Sequence, residues 1–290
     1  MKIVELTILS LLFSLIFTLD YSAQETWGDD CQLDSIQSPI NINEKDVVDD
    51  NSIFSFESID YKTIESTSVT YINDFSISTP TLDNGNITVK INGTIFTYKI
   101  LNIHFHLNSE HTINGKNYDM EMHIVHENTN TEDKNNLHMV IAYIFEIDDD
   151  DDDDEEKSFL DSIGFNTGEE VKNVNVQDIV KKEDVYYYKG SLTTPPCTED
   201  VNWVVIEDIK KMSQNQFDKF EEYVNKLNKN YSKGNNRKTF ELNGRKVYKS
   251  EINDDDSDSD FDSDSYESDS DSNVFIKFSM SLFYLILILF

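Results

Sequence analysis

Residues 95–126 read IFTYKILNIHFHLNSEHTINGKNYDMEMHIVH, and this stretch decides the fold. Ile95 to Phe105 is rich in β-branched and aromatic residues, largely at period two, and reads as a strand. Side chains alternate faces along a strand, so His104 and His106 point one way and Phe105 the other. A polar turn over 108–117 contains Asn114-Gly115, the dipeptide of a tight hairpin turn. Asp119 to His126 then returns as a second strand, with Glu121 and His123 on one face by the same parity. Neighbouring strands lie about 4.8 Å apart, so an imidazole on the second can meet two on the first. Three neutral imidazoles converging leave one tetrahedral position open, the arrangement of a catalytic zinc site. A polar cluster across a wet sheet face is the alternative. Asn102 and Glu121 each stand two residues before a histidine, with the parity needed to hold a far ring nitrogen. His111 and His126 read as hydrogen-bonding or packing partners, and His138 as a histidine of a surface or strand face.

Working outward, Ser68 to Ile77, Ile87 to Ile91 and Leu137 to Ile147 repeat the strand pattern. Asn-Gly pairs at 84–85, 92–93 and 243–244 add tight turns. The best helix is Ser213 to Lys229, where Phe217, Phe220, Val224 and Leu227 recur at three and four; Ser213 is its N-cap and Gln216 completes a capping box. The fold class is mainly β: a single domain built on a large, mostly antiparallel, twisted central sheet with a few short surface helices.

Of the 290 residues, 56 are acidic and 24 basic, a formal net charge of −32. The nine consecutive acids of 148–156 and the eleven of 251–273 carry much of that excess, leaving 36 acids against 24 bases elsewhere. A surface so short of positive charge excludes phosphate recognition, so no nucleic-acid partner is expected. The 148–156 run follows a strand and reads as a solvated loop insertion. Residues 1–23 have the pattern of a signal peptide: Lys2, an apolar run from Leu6 to Leu19, and the small Ala23. The domain is then expected over 24–250, followed by a Ser/Asp low-complexity stalk over 251–273 and a hydrophobic tail over 274–290. That tail reads as a GPI-anchor signal, with a retained membrane tail as the alternative. Either places the chain in the secretory pathway, extracellular or on the cell surface, and makes the membrane a partner through this anchor. Asn86, Asn92 and Asn230 head glycosylation triplets that suit such a compartment, which also permits Cys31 and Cys197 to pair. The oligomeric state is left open.

The motifs His104-Phe105-His106, Ser109-Glu110-His111-Thr112 and Glu121-Met122-His123-Ile124-Val125-His126 resemble those of the α-class carbonic anhydrases. So do Gln37-Ser38-Pro39-Ile40-Asn41, the stretch Gly190 to Glu199, and Leu242-Asn243-Gly244-Arg245, so that the resemblance spans about 27–249. It implies a zinc lyase, with His104, His106 and His123 as ligands of Zn2+, and the reversible hydration of carbon dioxide to bicarbonate and a proton by attack of zinc-bound hydroxide. It implies that Thr193 accepts a hydrogen bond from that hydroxide and that Glu110 accepts one from Thr193. Val125, Ile141, Leu192, Val201 and Trp203 look like the apolar wall that takes carbon dioxide, with Ile141 on a strand that aligns one residue either way. Gln37 and Asn41 look like structural partners, Glu121, Asn102 and His111 like supports of the ligands, and Cys31–Cys197 like the bridge of secreted members. A non-catalytic extracellular binding module is the competing reading.

The chain departs from the pattern of fast members of that family. They carry a histidine proton shuttle before the first ligand strand, whereas here no histidine precedes His104 and the position falls near Asn73. An amide cannot relay a proton at neutral pH, so slow proton export is expected. Leu107 also stands where many members have Trp.

Overall fold

The computed structural model describes residues 19–32, 36–65, 76–78, 85–148, 155–164, 173–227 and 234–252. They fall within one unit, Met1–Ile252.

Eleven strands make the main sheet: β1 (Val48–Asp49), β2 (Phe54–Tyr61), β3 (Ser76–Ser78), β4 (Gly85–Ile91), β5 (Thr94–Leu107), β6 (Met120–Asn128), β7 (His138–Ile147), β8 (Val185–Ser191), β9 (Glu199–Ile206), β10 (Lys210–Met212) and β11 (Tyr248–Ser250). Their order is β1-β11-β8-β9-β7-β6-β5-β4-β2, with β10 also pairing with β7 and β3 with β5. Most pairs are antiparallel, as expected. The sheet is nonetheless mixed, because β7 runs parallel to β9 and β10, and β11 parallel to β1.

The long central strand follows from its turns. Asn92 and Gly93 take φ of 49° and 78°, the left-handed pair that closes a two-residue hairpin and sends β4 straight into β5. Asn114-Gly115 and Asn243-Gly244 adopt the same backbone. Of the 84–85 pair, Asn84 lies outside the described residues and Gly85 opens β4, where a side chain would collide with Asp60 O. The 68–77 strand expected from the sequence lies mostly outside the described residues; its last part falls in β3.

Alternation sorts the side chains into two cores. Ile103, Phe105, Ile124, Tyr143 and Val204 bury themselves on one face with Phe220 of the helix α2 (Gln214–Leu227). Val125, Val140, Val201 and Trp203 bury themselves on the other, with Ile40 and Ile42. The capping box of α2 is in place: Ser213 N donates to Gln216 Oε1 at 3.0 Å, and Gln216 N to Ser213 Oγ at 3.2 Å. The acid run differs from a simple loop, since α1 (Glu155–Ser162) begins within it. Phe159 and Leu160 are buried in the first core and explain why this stretch coils into a helix. At the start, Leu19 and Tyr21 pack on that same core, and Tyr21 meets Trp27 edge to face at 5.0 Å. Among the described residues no helix is long and apolar enough to cross a membrane, and 274–290 lie outside them.

Candidate metal centre

The register of three strands builds the site in rows. Opposite His104 on β5 stands His123 on β6, and opposite that Ala142 on β7. The next row inward is His106, Glu121 and Ile144, and the next outward is Asn102, Val125 and Val140. Three rings therefore share one face: the centroids of His104 and His106 lie 5.1 Å apart, those of His104 and His123 5.1 Å, and those of His106 and His123 4.6 Å. One nitrogen from each lies within 4.8 Å of the other two.

The opposite side of each ring is held. His104 Nδ1 meets Asn102 Oδ1 at 2.8 Å, His106 Nδ1 meets the Asn235 carbonyl at 2.9 Å, and His123 Nε2 meets Glu121 Oε1 at 2.7 Å. All three partners are acceptors, so those ring nitrogens carry the protons. The inward atoms are then lone pairs: Nε2 of His104, Nε2 of His106 and Nδ1 of His123. Two of them, His123 Nδ1 and His104 Nε2, approach to 3.3 Å. Lone pairs that close repel unless a positive charge lies between them. Burial holds His104 well below its ordinary pKa and lowers His123 to about 4, keeping both rings neutral and able to bind a cation. The donor set thus fits a zinc ion.

Glu121 is buried and accepts four hydrogen bonds: Oε1 from His111 Nδ1 and His123 Nε2, and Oε2 from the main-chain N–H of Glu110 and His111. Burial opposes its ionisation, but the electrostatic pull and hydrogen bonds of His111 and His123 outweigh it and hold the carboxyl well below the usual range. His111 Nε2 then accepts from Tyr188 Oη at 2.7 Å, and Tyr188 meets Ser38 Oγ at 2.8 Å. Asn102 and Glu121 thus each meet the ring two residues on, and His111 meets Glu121. His126 is on the opposite face, bonded to Tyr61 Oη at 2.7 Å.

Glu110 is buried, with Oε1 accepting from Arg237 N at 2.7 Å; burial raises its pKa, and Thr193 and that N–H act against the rise. Thr193 is itself buried, within the β8–β9 connection. Cys31 and Cys197 are joined in a disulfide. Gln37 Oε1 accepts from Arg237 Nη2 at 2.9 Å, and Asn41 Oδ1 from Thr112 Oγ1 at 2.8 Å.

The apolar wall needs one correction. Val125, Val201 and Trp203 bury themselves together, with Leu192 packed against them, but Ile141 faces the other core beside Ile124 and Val204. Val140 occupies the row of Val125 and Trp203 instead. Adjacent residues of a strand point to opposite faces, so an alignment shifted by one moves the side chain through the sheet. Sequence reasoning also missed Asn235, Arg237 and Tyr188. Asn235 meets His106, and Arg237 meets Glu110, through main-chain atoms that leave no residue signature, while the Asn235 amide and the Arg237 guanidinium bond backbone groups that no motif marks. Tyr188 could have been found from its position opposite Trp203 on β8. Asn86 and Asn92 are exposed, and Asn230 lies outside the described residues.

Comparison with known proteins gives the same picture. The sequence profile of eukaryotic-type carbonic anhydrases matches residues 22–251. Alpha carbonic anhydrase 7 of Arabidopsis thaliana is 32% identical over 209 residues, covering 68% of this chain and 71% of that protein. Alpha carbonic anhydrase 8 of the same plant is 31% identical over 75% of this chain, which spans only 54% of the relative's length. Among solved structures, dioscorin complexed with ascorbate superposes with a TM-score of 0.62 at 23% identity, covering 81% of this chain and 93% of its own, a likeness of fold alone. The alpha carbonic anhydrase of Thermovibrio ammonificans, bound to the inhibitor sulfanilamide, has a TM-score of 0.54 at 28% identity, covering 75% of this chain and 88% of its own. With a profile match over residues 22–251, three clustered imidazoles and relatives named as alpha carbonic anhydrases, the chain belongs to the eukaryotic-type carbonic anhydrase family.

Proposed function

We propose that the protein is a zinc enzyme of reversible carbon dioxide hydration, yielding bicarbonate and a proton. The observation that carries this reading is the trio of His104, His106 and His123, whose outer nitrogens are all held by acceptors. His104 and His106 would hold zinc through Nε2 and His123 through Nδ1. Bound zinc supplies acidity, lowering the pKa of water from 15.7 to about 7 and so providing hydroxide at neutral pH. Glu110 accepts from Arg237 N at Oε1 and stands against Thr193. A Thr193 hydroxyl that donates to Glu110 keeps its own lone pairs for an incoming O–H, and so orients the nucleophile. Val125, Val140, Leu192, Val201 and Trp203 form a wall suited to an apolar, uncharged substrate and exclude bulk water from it.

Proton export is the slow step, because the shuttle position near Asn73 holds an amide; Asn73 lies outside the described residues. The disulfide and the exposed Asn86 and Asn92 support a secretory route with a glycosylated product; the anchor expected from 274–290 falls outside the described residues. A binding module without catalysis is the other reading, and the retained trio with Thr193 and Glu110 weighs against it.

The test is zinc content and hydration kinetics of the wild type and of His106→Ala. The wild type should bind one zinc, hydrate carbon dioxide, and turn over faster as imidazole buffer is added. His106→Ala should lose metal and activity with its far-ultraviolet spectrum intact. A zinc-loaded wild type with no hydration would favour the binding module.

A further inference from the structure

The face that carries the three rings continues outward for two more rows. Beyond Asn102, Val125 and Val140 comes the row of Lys99 on β5, Glu127 on β6 and His138 on β7. Glu127 and His138 lie on the ring-bearing face by parity, and Lys99 joins them because a bulge between Ile100 and Asn102 shifts the phase of β5. Four residues separate Glu127 from His123 along β6, about 13 Å at 3.3 Å per residue. The neighbouring strip of β5 is half-open to solvent: Lys99, Leu101, Asn102 and His104 are each partly exposed, whereas His106 and His123 are buried. Water can therefore follow β5 from the His104 edge of the trio to the His138 row. His138 is itself half-buried. Of the remaining histidines, His111 is bonded at both ring nitrogens and His126 faces the opposite core.

We propose that His138 is a proton-relay residue at the outer rim of the site. This rests on the hydration reading above. Each carbon dioxide that combines with water gives one bicarbonate and one proton. The proton crosses the water strip to the neutral His138 imidazole, which becomes imidazolium. The imidazolium then passes the proton to a base in solution and returns to neutral. The groups facing His138 suit this traffic. Burial and Lys134 lower its affinity for a proton, Glu127 raises it, and Lys99 partly neutralises Glu127 at 3.3 Å. The distance makes it a slower relay than a histidine beside the metal, so turnover should still respond to added buffer.

The experiment uses the zinc-loaded full chain, with His138→Ala, His138→Gln and Glu127→Gln. In weak buffer both His138 variants should lose about tenfold in kcat, less than the ~10²-fold of a directly positioned acid–base group, because the ring works through water. Their kcat/KM, which reports hydration before the proton leaves, and their zinc content should match the wild type. Added imidazole should restore kcat. Separately, the His138 ring proton signal, identified by its loss in His138→Gln, should titrate with a midpoint below the ~6.5 of a free histidine. Unchanged kcat in both variants overturns the proposal, as does a ring that stays neutral across the folded pH range, or a loss seen only in Glu127→Gln. A wild type without hydration activity would instead strike the reading on which the proposal rests.

Discussion

Ring nitrogens at this site are assigned by what stands behind them. Asn102, Asn235 and Glu121 offer oxygen acceptors to the outer nitrogens of His104, His106 and His123, and so aim three lone pairs at one point. Parity made Asn102 and Glu121 legible, because each sits two residues before its histidine. The Asn235 carbonyl was invisible, since any residue type could supply it, although the Asn235 amide also bonds the backbone of Phe105 and Leu107 on either side of His106. His126 shows the opposite use of the same side chain. It is buried, its ring stacks on Tyr61 with centroids 6.0 Å apart, and burial lowers its pKa to about 4. The unfolded chain keeps an ordinary histidine near 6.5, so between pH 6.5 and 4 the unfolded state binds the proton that the folded state refuses. The stabilising contribution of neutral His126 is thus complete above pH 6.5 and declines as pH falls, by about 3 kcal/mol at pH 4. Urea unfolding of the wild type and of His126→Gln should show a stability gap that narrows by that amount over this window. Parallel pH profiles for the two proteins would contradict the account.

At the scale of elements, legibility depended on whether a strand has one wet face. β4 alternates in exposure throughout, and β5 does so on either side of a bulge between Ile100 and Asn102, so the faces of the ligand-bearing segment were readable from period two. β7 is buried from Met139 to Phe145 and apolar on both faces, so its sequence has no phase to read. That is why Ile141 was placed on the wall that Val140 occupies. The helix α2 was found from its apolar spacing and capping box, whereas α1 was masked by the acid run in which it begins. The face assignment of β7 predicts a split between two neighbours. Ile141→Ala leaves a cavity in the first core and should cost about 2–5 kcal/mol in unfolding free energy with kcat/KM of the folded enzyme retained. Val140→Phe overfills the wall and should cost about 1–3 kcal/mol while sharply reducing kcat/KM and sparing zinc content. The reverse pattern would return Ile141 to the pocket.

Across the whole molecule, the site is closed by segments remote in sequence. His106 reaches Asn235 over 129 residues, and Glu110 reaches the main chain of Arg237 over 127. The buried Arg237 guanidinium gathers Ser38 O at 2.7 Å, Cys31 O at 2.6 Å, Gln37 Oε1 at 2.9 Å and Leu192 O at 3.3 Å, fixing the chain next to Thr193. The Cys31–Cys197 bridge spans 166 residues of the same assembly. In loop-entropy terms such a bridge destabilises the unfolded chain by about 5 kcal/mol. Its contribution therefore falls on the unfolded state, while the three rings are held by Asn102, Asn235 and Glu121. Replacing both cysteines by serine should lower the unfolding free energy by up to about 5 kcal/mol and leave zinc affinity near the wild-type value at temperatures where the chain remains folded. Equilibrium unfolding and zinc competition on the same preparation separate the two effects. If zinc affinity falls while the fold persists, the bridge positions the rings through Arg237 as well as restraining the unfolded chain.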